Sequence, residues 1–281
     1  MSGAVAIFVK TPGHSAVKSR LAADRGEGYA QAWYRHAAAA VASVARVAQA
    51  RHGLTAYWAV AEPKALDEWP ELPALAQGGG GLGERMARVH ARLVARHGSG
   101  LLIGADAPQL TVQLLGEAGE WLDAASPRLA LGPASDGGFW MFGANMSPPL
   151  PAWTQVRYSA DDTARQFRRN MEALGAWRTL STLTDADHGR DLPAVLHALE
   201  TLPEPTAEQR ALADWMGEQE RAGEDASDAS ARYFLARRRR EGGDPVPPRA
   251  DTPRSRGSRA RGNDEVDRAP PVAAAPGRSR A

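Results

Sequence analysis

The sequence predicts an α/β fold, a mainly parallel sheet with helices on both faces. Three observations lead to it. Short apolar runs such as Val5-Ala6-Ile7-Phe8-Val9 and Leu101-Leu102-Ile103 have the length and uniform apolarity of strands buried on both sides. Longer stretches rich in Ala, Leu, Glu and Arg alternate with them and favour helix. Pro, Gly and Asp collect in the loops after the apolar runs. With 281 residues, 43% of them hydrophobic, the chain has enough material for one such core.

The elements follow in order. Val5–Val9 opens the sheet, and a Pro-Gly loop leads to an Ala-rich helix over 28–51. Leu54–Val60 reads as the second strand, and Leu82–Arg96 as a helix after the glycine run at 78–81. Leu101–Ile103 is a third strand, followed by a helix over Thr111–Ala124 with Thr111 as its N-cap. Arg128–Leu131 and Phe139–Phe142 are strands, Asp161–Leu174 a helix, and Trp177–Leu183 strand-like. Asp191–Leu202 and Thr206–Gln219 close the body as helices. This alternation is Rossmann-like, and ligands of such sheets bind beyond the carboxyl ends of the strands.

The expected organisation is one folded domain over 1–219 and a basic, low-complexity tail over 220–281. The tail carries 14 arginines against 9 acids from Arg221 onward. Its Gly, Pro, Ser and Arg content leaves too little apolar surface to order it, apart from a short basic helix over 232–240. A basic tail can touch nucleic acid, but no recognition motif accompanies the arginines, which argues against a nucleic-acid partner. There is no cysteine, which excludes disulfides, thiolate metal sites and a cysteine nucleophile and fits a reducing compartment. The apolar run after Met1 is too short for a signal peptide or membrane span, so the expectation is a soluble, cytoplasmic protein.

Four loop motifs can carry chemistry. Lys10-Thr11-Pro12-Gly13, continuing to Lys18-Ser19-Arg20, follows the first strand directly. Lys10, Lys18 and Arg20, with backbone N–H groups around Pro12 and Gly13, can neutralise phosphates there; a solvated basic loop is the plainer reading. The spacing is not that of a Walker A loop. Asp106, in Gly104-Ala105-Asp106-Ala107-Pro108, ends a buried strand and suits a divalent cation, or else caps a turn. Asp136-Gly137-Gly138 either lets a ligand approach the backbone or makes an ordinary hairpin turn. Asp185-Ala186-Asp187-His188 can complete a metal site or simply begin a helix. His188, with no partner histidine nearby in sequence, is given no zinc role. Arg85, in Leu82-Gly83-Glu84-Arg85-Met86, can reach a phosphate or stand on the surface. No G-x-S-x-G elbow is present.

Taken in order, Lys10-x-Pro12 to Lys18-Ser19-Arg20-Leu21, Leu82-Gly83-Glu84-Arg85-Met86, Gly104-x-Asp106-x-Pro108-x-Leu110-Thr111, Gly132-Pro133-x-x-Asp136-Gly137-Gly138 and Asp185-x-Asp187 resemble a bacterial family. That family has the glycosyltransferase type A (GT-A), or nucleotide-diphospho-sugar transferase, fold and is linked by name to arsenosugar biosynthesis. The start is also similar to that of the 2-phospholactate guanylyltransferases. The resemblance spans about Ala4 to Leu202. It implies that Lys10, Lys18 and Arg20 cradle a nucleotide's phosphates and that Asp106 binds Mg²⁺ or Mn²⁺, with Asp187 a second ligand. It also implies that Asp136, Gly137 and Gly138 face the sugar or acceptor. The chain departs from the family's pattern at Gly81, where an acid is expected, and at Phe139-Trp140, where a tyrosine-led pair is expected.

The resulting expectation is a metal-dependent glycosyltransferase moving a sugar from a nucleotide sugar to a small-molecule acceptor. Lys18, Asp106 and Asp136 form its catalytic set, and Lys10, Pro12, Gly13, Lys18, Arg20 and Arg85 bind the nucleotide. Two alternatives stand beside it. One is nucleotidyl transfer from an NTP to a phosphorylated small molecule, releasing pyrophosphate; the other is a non-catalytic nucleotide-binding protein.

Overall fold

The computed structural model describes residues 3–223. The tail beyond, with the basic helix expected over 232–240, lies outside the described residues. Seven strands form one sheet: β1 (Gly3–Val9), β2 (Leu54–Val60), β3 (Ala74–Ala76), β4 (Ser99–Gly104), β5 (Arg128–Pro133), β6 (Phe139–Ala144) and β7 (Ala176–Thr179), in the spatial order β3-β2-β1-β4-β6-β5-β7. All neighbours are parallel except β6, which runs antiparallel to both β4 and β5. The sheet is thus the mainly parallel one that the apolar runs predict. β6 turns back because it is joined to β5 by the short Asp136-Gly137-Gly138 hairpin, which leaves no room for a crossover helix.

The helices are α1 (Ser19–Arg25), α2 (Glu27–His52), α3 (Leu82–His97), α4 (Val112–Leu122), α5 (Leu150–Thr154), α6 (Thr163–Met171), α7 (Leu192–Glu200) and α8, helical over 207–223. They divide between the two faces. Val5, Ile7 and Val9 of β1 join one core with α2, α4, α7 and α8, while Ala4 and Ala6 join the other with α3, α5 and α6. This period of two on a strand buried from both sides is why β1 is uniformly apolar. α2 packs through alanines at 37, 38, 40, 42, 45 and 48, whose small side chains bring the helix close to the sheet. It ends where Gly53 turns left-handed at φ 69° and its N–H caps Gln49.

Several boundaries differ from expectation. β3 is a three-residue edge strand after Pro73, too short to show a period. α1 breaks from α2 because Gly26 takes φ 90°, so the segment through Leu21 is partly helix rather than all loop. α5 is likewise unexpected. The strand expected to reach Leu183 stops at Thr179; beyond it only Leu183 keeps a bridge, to Ala134, as the chain leaves the sheet edge toward Asp106. Thr111 does cap α4, accepting the Leu114 N–H at 3.2 Å. Among the described residues no helix is long and apolar enough to cross a membrane.

Candidate active site

β1, β4, β5 and β7 run the same way, so their carboxyl ends lie along one edge, and the four motif loops meet there. Backbone hydrogen bonds bring them together. Ser135 N–H donates to Leu183 O at 2.9 Å, Ala186 N–H to Asp106 O at 3.4 Å, and the buried Gln109 amide to Thr184 O at 2.7 Å. The chain leaving β7 is thereby laid against the end of β4, and Asp185 and Asp187 come beside Asp106.

Lys18 stands at the centre. It is the N-cap of α1 and takes left-handed backbone angles, φ 46° and ψ 47°, which are strained for a residue with a side chain. Its side chain is 6% exposed, and Nζ donates to Asp106 Oδ2 and Asp187 Oδ1, both at 2.9 Å. Burial alone would lower the lysine pKa; the two carboxylates outweigh it and raise it, so Lys18 is charged. Arg20 Nη1 adds a second cation on Asp187 Oδ2 at 2.9 Å. Asp187 is held below its ordinary value: burial would raise it, and Lys18 and Arg20 win.

Asp106 needs the glycine two residues before it. A Cβ on Gly104 would meet Asp106 Oδ1, so only glycine there lets the carboxylate fold back over the strand end. Asp185 is the opposite of Asp187. Burial raises its pKa first, Asp106 adds to the rise, and Lys18 only partly offsets them. Its Oδ1 is buried with no hydrogen-bond partner among the described residues.

Asp136 is exposed and its Oδ1 accepts the Gly138 N–H at 2.8 Å. Gly137 takes φ 89° and lies so close to the Asp161 carbonyl that a Cβ has no room. Its own carbonyl accepts the Ala164 N–H at 2.9 Å, docking the hairpin onto the start of α6.

Two cavities share this edge. The first, of about 470 Å³, is lined by Lys10, Lys18, Arg20 and Arg85 with Asp106 and Asp187, and by Tyr34 and Gln77. The second, of about 280 Å³, contains Asp106, Asp136 and Asp185 with Gly138, Phe139 and Trp140. Phe8, Leu82, Gly104, Asp106 and Ser159 border both, so the cavities meet at Asp106. Ser159 there has φ 60°, a second left-handed residue with a side chain at the same edge.

Most of the expected residues line these cavities, but Pro12, Gly13 and Gly137 do not. Pro12 and Gly13 lie outside both cavity walls; they form a turn closed by the His14 and Ser15 N–H groups on Thr11 O, and Gly13 lines a separate surface pocket. The wall they were expected to supply comes from Ala16, Val17 and Ser19. Gly137 supports the second cavity without lining it. His188 leans on Asp24 Oδ2 at 3.2 Å. Tyr34, Gln77 and Ser159 carry no sequence signal, because long-range folding alone brings them here. Asp185 had one, the Asp-x-Asp spacing.

A hard divalent cation fits this donor set. The available donors are carboxylate oxygens, one of them buried without a partner, and burial with Asp106 close by pushes Asp185 up. As the side chains stand, no three His, Asp or Glu groups among the described residues converge on one point, and Lys18 Nζ bridges Asp106 and Asp187.

Comparison with known proteins gives the fold. A family described as "Uncharacterized protein conserved in bacteria (DUF2064)" matches residues 32–160. No curated protein matches. The chain is similar to the crystal structure of a "putative nucleotide-diphospho-sugar transferase" from Desulfovibrio desulfuricans G20, with TM-score 0.66 and 24% identity over 78% of this chain and 98% of that one. It is more remotely similar to CMP:2-keto-3-deoxy-manno-octonic acid synthetase complexed with CTP, at TM-score 0.42, 13% identity, 71% of this chain and 100% of that one. A nucleotidyl transferase from Methanothermobacter thermautotroptrophicus matches at TM-score 0.44, 13% identity, 71% of this chain and 99% of that one. The fold is therefore Rossmann-like, of the nucleotide-diphospho-sugar transferase type.

Proposed function

We propose that this protein is a transferase using an activated nucleotide, and that it moves a glycosyl group from a nucleotide sugar to a small-molecule acceptor. The observation that carries the reading is the charge contrast of two cavities meeting at Asp106: four cationic side chains line one, and only carboxyl groups supply charge to the other. The first suits a diphosphate, with Lys18 and Arg20 at its phosphates and Lys10 and Arg85 further along the wall. The second suits the sugar and the acceptor. The motif resemblance to the arsenosugar-linked transferases supports glycosyl transfer, and that to the 2-phospholactate guanylyltransferases supports a nucleotide as the activated group.

In this reaction the acceptor's hydroxyl oxygen attacks the anomeric carbon of the donor. The bond from that carbon to the diphosphate oxygen breaks, and its electron pair leaves with the diphosphate. The hydroxyl proton passes to a carboxylate, a role we assign to Asp136 because it lies on the wall of the second cavity. Lys18, charged and fixed between two acids, and Arg20 offset the charge growing on the leaving group. Asp106 and Asp187 would hold Mg²⁺ or Mn²⁺, which supplies further neutralisation when bound. Lys18 would then give up part of its contact with them to the diphosphate. A chain without cysteine working on nucleotide sugars fits the cytoplasm.

The test is product identity. The protein is incubated with Mn²⁺, a panel of nucleotide sugars or nucleoside triphosphates, and a mixed pool of small hydroxyl compounds. Release of a nucleoside diphosphate from a nucleotide sugar supports the reading. Release of pyrophosphate from a triphosphate replaces it with nucleotidyl transfer, and binding with no turnover replaces it with a non-catalytic nucleotide-binding role.

A further inference from the structure

The second cavity constrains its own ligand. Asp106, Asp136 and Asp185 lie on its wall, and none of its lining residues is a Lys, Arg or His. Aromatic rings from Phe139, Trp140 and Tyr158 line it too. Asp185 Oδ1 is buried there without a hydrogen-bond partner among the described residues. A carboxyl group left so gains if its side chain turns toward the cavity and meets an O–H or N–H of the ligand.

An anionic ligand meets the reverse. In the metal-free protein a phosphate ester or carboxylate placed against these acids has no Lys, Arg or His on the wall to pair with, so the repulsion is not offset there. The nearest cations, Lys18 and Arg20, belong to the first cavity and are turned onto Asp106 and Asp187. The rings meanwhile favour a ligand with an apolar face, an aromatic ring or the C–H side of a sugar.

We infer that the second cavity takes a small, non-anionic molecule with an apolar face and a hydroxyl or amine that donates to Asp136 or Asp185, and that it rejects phosphate esters. Calling this molecule the acceptor rests on the glycosyl-transfer reading; the selectivity itself rests only on the cavity wall. The consequence for the reaction is a substrate that arrives unphosphorylated, so no kinase step need precede it.

The experiment uses three probes of one skeleton: 2-phenylethanol, 2-phenylethylamine and 2-phenylethyl phosphate. Their affinities for the full-length protein are measured by ligand-observed NMR with inorganic pyrophosphate present to fill the cationic cavity, its own binding followed separately by calorimetry. The alcohol and the amine should bind at least about ten-fold tighter than the phosphate. Asp136→Lys, a change at an exposed residue, should reverse that order, and the milder Asp136→Asn should narrow the gap between amine and phosphate. A phosphate ester that binds the wild-type protein as well as the alcohol, or an order indifferent to both substitutions, overturns the inference. Failure of pyrophosphate and of every nucleotide to bind, with the probe order intact, would instead sink the nucleotide reading and leave the selectivity standing.

Discussion

Lys18 and Asp106 pair where the two cavities meet. Lys18 is buried, charged and held in a strained backbone conformation between two carboxylates, an arrangement that supports the proposed role at the phosphates. Asp106→Asn keeps the side chain's shape and leaves Lys18 paired with Asp187. Turnover should fall by about 100-fold or more while the melting temperature stays within a few degrees of wild type, as steady-state assays beside thermal melts would show. Gly104→Ala tests the same carboxylate indirectly. The new methyl group falls on Asp106 Oδ1, so the carboxylate must turn away. Activity should drop by about ten-fold or more with little change in stability, and an unaltered rate would mean that the position of Asp106 does not matter. The four acids are each visible in the sequence as an Asp after an apolar run. What the sequence does not carry is which acid is paired and which is pushed up, because that depends on a lysine and a hairpin far away along the chain.

Between elements, two packings deserve a test. The hairpin joining β5 and β6 docks on α6 through Gly137, which has φ 89° and no space for a Cβ against the Asp161 carbonyl. Gly137→Ala should destabilise the protein by about 1–3 kcal/mol in denaturant melts and displace Asp136 with it. His90 on α3 is fully buried beside Phe142 and Trp153, its ring nitrogens near the backbone of Gly100 and Ala144 but without a full hydrogen bond. Burial lowers its pKa to about 4, against about 6.5 when unfolded; the nearby backbone only partly resists. Because the folded value is the depressed one, the unfolded chain takes up a proton first. The contribution of neutral His90 is therefore whole above about pH 6.5 and lost as the pH falls toward 4, a loss on the order of 3 kcal/mol. His90→Leu should flatten that part of the stability–pH curve, and a curve unchanged by the substitution would contradict the assignment. The long elements β1, β2, β4, α2, α3 and α4 are legible from apolar runs and alanine content. The short β3 and α5 are not, because three to five residues show no period and are fixed by the neighbours they pack on.

Over the described residues as a whole, the sheet's carboxyl edge gathers loops separated by as many as 169 residues into one site with a cationic and an acidic half. If the cationic half binds a nucleotide as proposed, its affinity should weaken as salt is raised, since exposed cations such as Arg20 are screened. The fold class and the edge that holds the site follow from strand–helix alternation and from the rule that such sheets bind at their carboxyl ends. The existence of two cavities of opposite charge does not, since Tyr34, Gln77 and Ser159 reach the walls only through tertiary packing. The most direct measurement is a thermal-shift comparison of the wild-type protein and Lys18→Met against nucleoside diphosphates and their sugars, with and without Mn²⁺. A ligand of the folded state raises the melting temperature by mass action. A Mn²⁺-dependent rise is expected with at least one nucleotide sugar for the wild type and a much smaller one for Lys18→Met. No rise with any nucleotide, or an equal rise in both proteins, would contradict it.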